Sequence, residues 1–391
     1  MIADRRFLHR QAEVGFELFE TGKFVRSKLE EMGYVPVPCG KAGLLVTVGK
    51  ARGKKALLLR ADMDALPVWE KTGLSYAAKN GNMHACGHDL HTAMLLGAAR
   101  LLKKNEAFLQ GEIKLLFQPA EEILEGAKDC IEAGVLEAPE VGGAAMLHVM
   151  TAVPFRTGHI LLSSAGVTAP AADYFTVEIK GKACHGSTPQ NGVDALTAAA
   201  YILLALQEIP AREISAASPI VLTVGKMEGG SAGNAIADRA ALRGTLRAFD
   251  EEVREKAKKR IREIAETVAK TFRAKARVEF GGGCPTLQND GGMVAFTEEK
   301  LRFYLGKENV SAAAALPGGV VQRSGGSEDF AYISRKVPSV MLAIAAGNSE
   351  EGYVYPLHHP KARFDEEALV YGAAAFACLA LEWNGGADER R

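Results

Sequence analysis

The sequence has no excess charge of either sign: Lys and Arg together number 47, and so do Asp and Glu. Such a chain has no bulk field to hold a polyanion, so a nucleic acid or an anionic membrane surface is excluded unless a local basic patch exists. The densest basic run, Arg254 to Arg262, is interleaved with acids and reads as a solvated helix face. Long apolar runs are missing too. The longest, Ala368 to Leu381, falls short of the ~20 residues a membrane span needs and reads as a buried Ala-rich helix. Met1-Ile2-Ala3-Asp4-Arg5-Arg6 lacks the apolar core of a signal peptide. Six cysteines (39, 86, 130, 184, 284, 378) are scattered without framework spacing. That argues for thiols in a reducing cytosol rather than disulfides. Glycine-rich phosphate motifs are absent, and so is the P-C-x-x-C of the zinc deaminases.

What is present is ordinary globular composition, 48% hydrophobic and 24% charged over 391 residues. That length exceeds the roughly 250–300 residues at which single cores stop growing, so two domains or one interrupted domain are expected. The spacing of Leu18, Val25, Leu29 and Met32 predicts a helix that Gly33 stops. Apolar runs at Leu44–Val48, Ala56–Leu59, Ile113–Phe117 and Gly143–Leu147 are continuous, as in strands covered on both faces. A helix over Thr92–Lys104 lies between them, and Asp89 is its candidate N-cap. These elements predict an α/β fold with a mixed, mostly parallel sheet and helices on both faces.

The pattern changes near Ala172. A strand at Asp173–Ile179, a helix from Asp194 to Leu206, strands at Pro219–Val224 and Ala240–Phe249, a helix at Glu251–Thr271 and a strand at Ala276–Phe280 follow in turn. The order β-α-β-β-α-β is the ferredoxin-like arrangement. We therefore expect an inserted α+β domain over 172–283, interrupting a larger domain built from 1–171 and 284–391.

Three apolar strands run into metal-capable residues: Arg60-Ala61-Asp62-Met63-Asp64, Gln118-Pro119-Ala120-Glu121-Glu122, and His148. Ligands in open α/β sheets bind beyond the carboxyl ends of strands, so three segments converge on one edge. Met83-His84-Ala85-Cys86-Gly87-His88-Asp89-Leu90-His91 holds three of the nine histidines, and Gly87 permits a turn aiming Cys86 and His88 at one ion. Glu121 and Glu122 are adjacent, so their side chains diverge, one towards metal and one towards substrate. With His358, in His358-His359-Pro360, the set Cys86, His88, Glu122, His148 and His358 offers five donors. Five exceed what one catalytic zinc takes and suit two ions sharing a bridge. A competing pattern, Gly229-Gly230-Ser231-Ala232-Gly233, matches the nucleophile elbow of serine hydrolases, but a strand rather than a helix is expected after it.

The motifs Arg60–Pro67, Met83–Asp89 and Phe117–Glu122, with His9-Arg10…Glu13-x-Gly15, Gly326–Phe330 and His358–Pro360, resemble the peptidase M20 metallohydrolases. More narrowly they resemble the branch of hippurate hydrolases, N-acyl-amino-acid amidohydrolases and auxin-conjugate hydrolases. The resemblance implies a zinc-exopeptidase-like catalytic domain interrupted by a lid and dimerisation domain. It implies two divalent ions per subunit, zinc or manganese first and cobalt or nickel next, held by Cys86, His88, Glu122, His148 and His358, with Cys86 bridging. It implies Glu121 as general base and His185, in the lid, as a residue reaching the neighbouring subunit's site. Asn234 and Arg247 match lid positions that bind substrate polar groups. The implied substrate is a small N-acyl amino acid, amino-acid conjugate or dipeptide, and the implied assembly a homodimer through the lid. Ala12 replaces the family's usual proline, and Thr151 stands where a proline often follows the His148 segment. Family members commonly carry another helical turn upstream of His9. Two other readings are a serine hydrolase using Ser231 and a non-enzymatic metal-binding relative; the presence of Glu121 argues against the latter.

Overall fold

A computed structural model describes residues 1–312 and 326–386. The described residues divide into two compact units: 1–168 with 288–312 and 328–386, and 169–287 with 326–327.

The first unit is built on an eight-stranded sheet. Its order is Val37–Cys39, Gly43–Val48, Ile113–Gln118, Ala56–Asp62, Val141–Met150, Ser339–Ala345, Ile160–Leu162 and Val310–Ala312. The central strands Ile113–Gln118, Ala56–Asp62, Val141–Met150 and Ser339–Ala345 are mutually parallel, and Val37–Cys39, Gly43–Val48 and Ile160–Leu162 join antiparallel. The sheet is thus mixed and mostly parallel, and all seven residues of Ala56–Asp62 are buried, as a strand covered on both faces requires. The helices His88–Lys104 and Ala368–Glu382 pack against one another over this sheet. Gly372 sets their approach: a Cβ there would lie 2.2 Å from Met94 Sδ.

The second unit carries a four-stranded antiparallel sheet ordered Ile220–Gly229, Arg239–Ala248, Ala171–Lys180, Lys275–Cys284. In chain order these are strands two, three, one and four, the ferredoxin-like topology. Val177, Ile179, Leu242 and Leu246 form a core with Ile202, Leu206 and Ile261 of the helices Ala195–Leu206 and Glu251–Thr271. Asp194 and Asp250 cap those helices through the Leu196 and Val253 N–H groups, 3.0 Å each. The helix Glu251–Thr271 is charged outside its buried stripe, and Glu251–Arg254 and Glu255–Lys258 pair across single turns.

The structure corrects several expectations. The helix at the His-rich segment starts at His88, and its N-cap is Gly87, not Asp89. Asp89 is the second residue inside that helix, and its Oδ2 faces Arg5 and His9 at 2.7 and 2.8 Å instead. The strands Ala56–Asp62 and Val141–Met150 continue through Asp62 and His148, because both polar residues find partners inside the sheet. Glu121 and Glu122 sit in a turn that ends before the helix Gly126–Glu132.

Phe376 is fully buried between the sheet and the helix His88–Lys104. Phe376→Ala should cost about 3–5 kcal/mol, read as a lower urea midpoint at unchanged slope.

Candidate metal centre

Register brings the predicted residues together. Arg60 pairs with Met146 and Asp62 with Gln118, so Asp62, His148 and the Glu121-Glu122 turn emerge at one edge of the sheet. The Asp64 carboxylate fixes that turn by accepting the Glu121 and Glu122 backbone N–H groups, one on each oxygen, at 3.1 Å. Gly87 makes the Cys86–His88 turn feasible. Its φ is +86°, and a Cβ would lie 2.3 Å from Val149 Cγ2. The His358 N–H donates to the Ala85 carbonyl at 2.9 Å, tying the distant histidine to this loop.

Cys86 Sγ lies 3.4 Å from His148 Nε2 and 3.2 Å from His358 Nε2. Glu122 Oε1 lies 3.6 Å from His358 Nε2 and 3.8 Å from His88 Nε2. All five expected donors therefore share one pocket of the first unit. Glu121 is buried beside them, its Oε2 3.9 Å from His88 Nε2.

The hydrogen bonds say which atoms are spare. His148 Nδ1 donates to the Val149 carbonyl at 2.7 Å, and His88 Nδ1 to the Asp64 carbonyl at 2.8 Å. The neutral His148 ring then presents an Nε2 lone pair to the pocket, and His88 turns its Nε2 towards the same pocket. His88 Nε2 and Glu122 Oε1 are buried with no hydrogen-bond partner. Buried polar atoms are rarely left so, and donor atoms of these types aimed at one point suit a divalent cation.

Two neighbouring clusters fit a cation less well. His91 Nδ1 faces Asp62 Oδ1 at 2.6 Å while its Nε2 accepts the Val149 N–H at 2.8 Å, so both nitrogens are in use. Glu121, Glu328 and Asp329 also converge, but a cation is already there. The fully buried Arg60 reaches Glu328, Asp329 and Asp62 at 2.7–2.9 Å, and Gln118 at 2.9 Å. Arg60, His91, Glu328 and Asp329 were not among the predicted site residues. A charged pair in an apolar strand, with Gln118 in the adjacent one, was the available signal.

Electrostatics set the protonation of this pocket. Burial pushes the Glu122 carboxyl up to about 7 and holds the Glu121 carboxyl well above its usual range, with Glu328 adding to the shift. Burial likewise raises the Cys86 thiol. Burial lowers His148 to about 3 and lowers His358 less, keeping both rings neutral and able to ligate. For His88, burial opposes charge, but Asp62 and Cys86 outweigh it and raise the ring.

The family model described as peptidase family M20/M25/M40 matches residues 58–382. The chain belongs to the M20 family. An N-acetyl-L-cysteine deacetylase of Bacillus subtilis is 38% identical over 95% of this chain and 85% of its own length. IAA-amino acid hydrolase ILR1-like 4 of Arabidopsis thaliana is 36% identical over 98% of this chain and 85% of its own. Among solved structures, Bacillus subtilis YXEP, described as a dinuclear metal binding peptidase from M20 family, superposes with a TM-score of 0.79 at 33% identity, covering 97% of this chain and 96% of that one. As an M20 enzyme the chain is a metal-dependent hydrolase of amide bonds.

The remaining expected residues lie in the second unit. His185 pairs with Ala235 in a two-stranded ribbon, and the Asn234 carbonyl accepts the Gly186 N–H at 2.7 Å, so His185 and Asn234 are neighbours. The Ser187 N–H donates to His185 Nδ1 at 3.1 Å, which leaves the proton of the neutral ring on Nε2. Arg247 Nη1 donates to Ser327 Oγ at 2.5 Å. Ser231 is exposed, and the strand Ala235–Ile236 follows it where an elbow needs a helix. Among the described residues, no helix is long and apolar enough to cross a membrane.

Carboxyl and thiol protons held up by burial must leave when a cation enters. Zinc or manganese affinity should therefore fall as pH drops from 8 to 6, by up to about tenfold per unit per proton displaced. Titration calorimetry in buffers of different ionisation enthalpy should count at least one proton released; proton-neutral binding would refute the protonated apo pocket.

Proposed function

We propose that this chain hydrolyses the amide bond of N-acyl amino acids, or of related amino-acid conjugates or dipeptides, releasing a carboxylic acid and a free amino acid. The observation that carries the reading is the clustered donor set of buried Cys86 and His88, part-buried Glu122 and His148 and exposed His358, with unpartnered His88 Nε2 and Glu122 Oε1, beside the buried Glu121. We assign those five residues to two divalent ions, with Cys86 between them, because its sulfur faces both His148 and His358. The thiolate favours a soft ion such as zinc, and the carboxylate side also suits manganese; cobalt and nickel are further candidates. When bound, the pair supplies Lewis-acid polarisation of the amide carbonyl and activation of water.

The chain's own groups do the rest. Glu121 takes the proton of the attacking water at a carboxylate oxygen and passes it to the leaving amine nitrogen. Its burial among Glu328 and Glu122 makes it a strong proton acceptor once ionised. Asp64 holds Glu121 and Glu122 in place through their backbones. His185 offers an Nε2–H, which suits stabilising an oxyanion, a contribution of roughly 3–4 kcal/mol per donor in comparable sites. Asn234 and Arg247 are assigned to polar groups of the substrate. These three residues act from the second unit, read as a lid and dimerisation domain of a homodimer. The free thiols support a cytosolic setting.

The test is hydrolysis of an N-acyl amino acid panel by the protein as isolated, after chelator, and after adding back zinc, manganese, cobalt or nickel. Loss with chelator and return with one ion is expected; activity indifferent to chelator would contradict the reading. Glu121→Gln should lower kcat by about 10²–10⁴-fold while keeping bound metal. Cys86→Ser should lower metal content, and unchanged content would remove Cys86 from the set.

A further inference from the structure

Cys39 and Cys130 lie 91 residues apart in sequence and in contact in space. Cys39 Sγ sits 3.8 Å from the Cys130 carbonyl, and Cys130 Sγ sits 3.7 Å from the Cys39 carbonyl. Each thiol thus reaches across to the other's backbone. Gly43, the register partner of Cys39, makes room for them: a Cβ there would lie 3.3 Å from Cys130 Sγ and 2.4 Å from the Cys39 carbonyl oxygen. Both cysteines are buried, and neither touches the metal centre.

Their locations differ in stability. Cys39 ends the three-residue strand Val37–Cys39 at the outer edge of the large sheet, paired on one side only, between exposed Pro38 and the Gly40–Lys41 turn. Such an edge opens at low cost and admits a small solute. Cys130 belongs to the helix Gly126–Glu132, whose Ala127 N–H donates to Asp329 Oδ2 at 2.7 Å. That helix follows the Glu121-Glu122 turn directly.

We infer that Cys39 and Cys130 form a modification site: a dithiol that a peroxide-class oxidant converts reversibly to a disulfide, joining the sheet edge to the helix beyond the Glu121-Glu122 turn. Hydrogen peroxide transfers an oxygen to the Cys39 sulfur; its O–O bond breaks, Cys39 becomes a sulfenic acid and one water leaves. The Cys130 sulfur then attacks the Cys39 sulfur; the S–S bond forms, the S–O bond breaks, and a second water leaves carrying the Cys130 proton. Two thiols and one peroxide give one disulfide and two waters. Cys39 is the attacked sulfur because it lies on the edge strand, whereas Cys130 lies within a helix. The site differs from Cys86, whose sulfur faces the metal ligands.

The experiment treats the metal-loaded full chain with hydrogen peroxide, quenches it in denaturant with an alkylating reagent, and maps peptides by mass spectrometry. A linked peptide pair containing Cys39 and Cys130 is expected, lighter by two hydrogens, released by dithiothreitol and absent from Cys130→Ser and Cys130→Ala. The oxidised wild-type chain should also melt several degrees higher than the reduced one, because the link closes a long loop in the unfolded state. Neither variant should show that rise. Recovery of Cys39 and Cys130 as alkylated thiols after the half-exposed Cys184 has been consumed would overturn the inference. So would a Cys39 that proceeds to sulfinic acid without linking.

Discussion

A buried surplus of acidic groups is the constraint on which the rest of the structure depends. Beyond the strand ends, Asp62, Glu121, Glu328 and Asp329 surround a single buried guanidinium, Arg60, and Cys86 and Glu122 lie beside them. Burying an unpaired carboxylate costs several kcal/mol, so such a group must find a cation or keep its proton. The pocket uses both. Against burial, His88 and His91 keep Asp62 ionised, with Arg60 adding to the effect. Asp329, more deeply desolvated than Arg60 alone compensates, is held well above its usual range. Glu121 and Glu122 share only the His88 ring as a nearby positive group, and burial still holds both carboxyls above their usual range.

The hydrogen-bond economy around the pocket turns this charge imbalance into a directed site. His88, His91 and His148 each have their Nδ1 engaged by backbone or carboxylate, so these ring orientations are set before any ligand arrives. His91 is the instructive contrast: it sits beside His88 and His148, yet Val149 and Asp62 occupy both its nitrogens. It props the strand that carries His148 instead of offering a lone pair. The short distance from Asp62 to His91, 2.6 Å, couples this prop to the Arg60 cluster. The candidate metal-binding side chains, Glu121 and the charge-balancing groups thus form one connected unit on the ends of parallel strands.

Much of this was legible in the sequence because chemistry and periodicity coincide there. Continuous apolar runs ending in Asp62, Glu121 and His148 marked a covered parallel sheet and the edge at which the candidate donors meet. The Cys86–His88 pair around Gly87 marked the loop. The elements of the second unit were legible in a change to alternating strands and in the charged helix Glu251–Thr271. What composition and spacing missed depends on tertiary partners. Asp89 looks like an N-cap until Arg5 and His9, from the first helix, take its carboxylate. Arg60 looks like a strand-end charge, whereas its charged and amide partners Asp62, Gln118, Glu328 and Asp329 come from three different segments. The proximity of Cys39 to Cys130 depends on a Gly43 that has no local signature.

The central claim is that the surplus charge is balanced by two ions at one donor set. Anomalous diffraction from crystals of the zinc-loaded protein tests it most directly. The account predicts two peaks about 3.5–4 Å apart, contacted by Cys86, His88, Glu122, His148 and His358 and by no atom of His91. A single ion held by Asp62, His88 and His91, or one lodged among Glu121, Glu328 and Asp329, would contradict it.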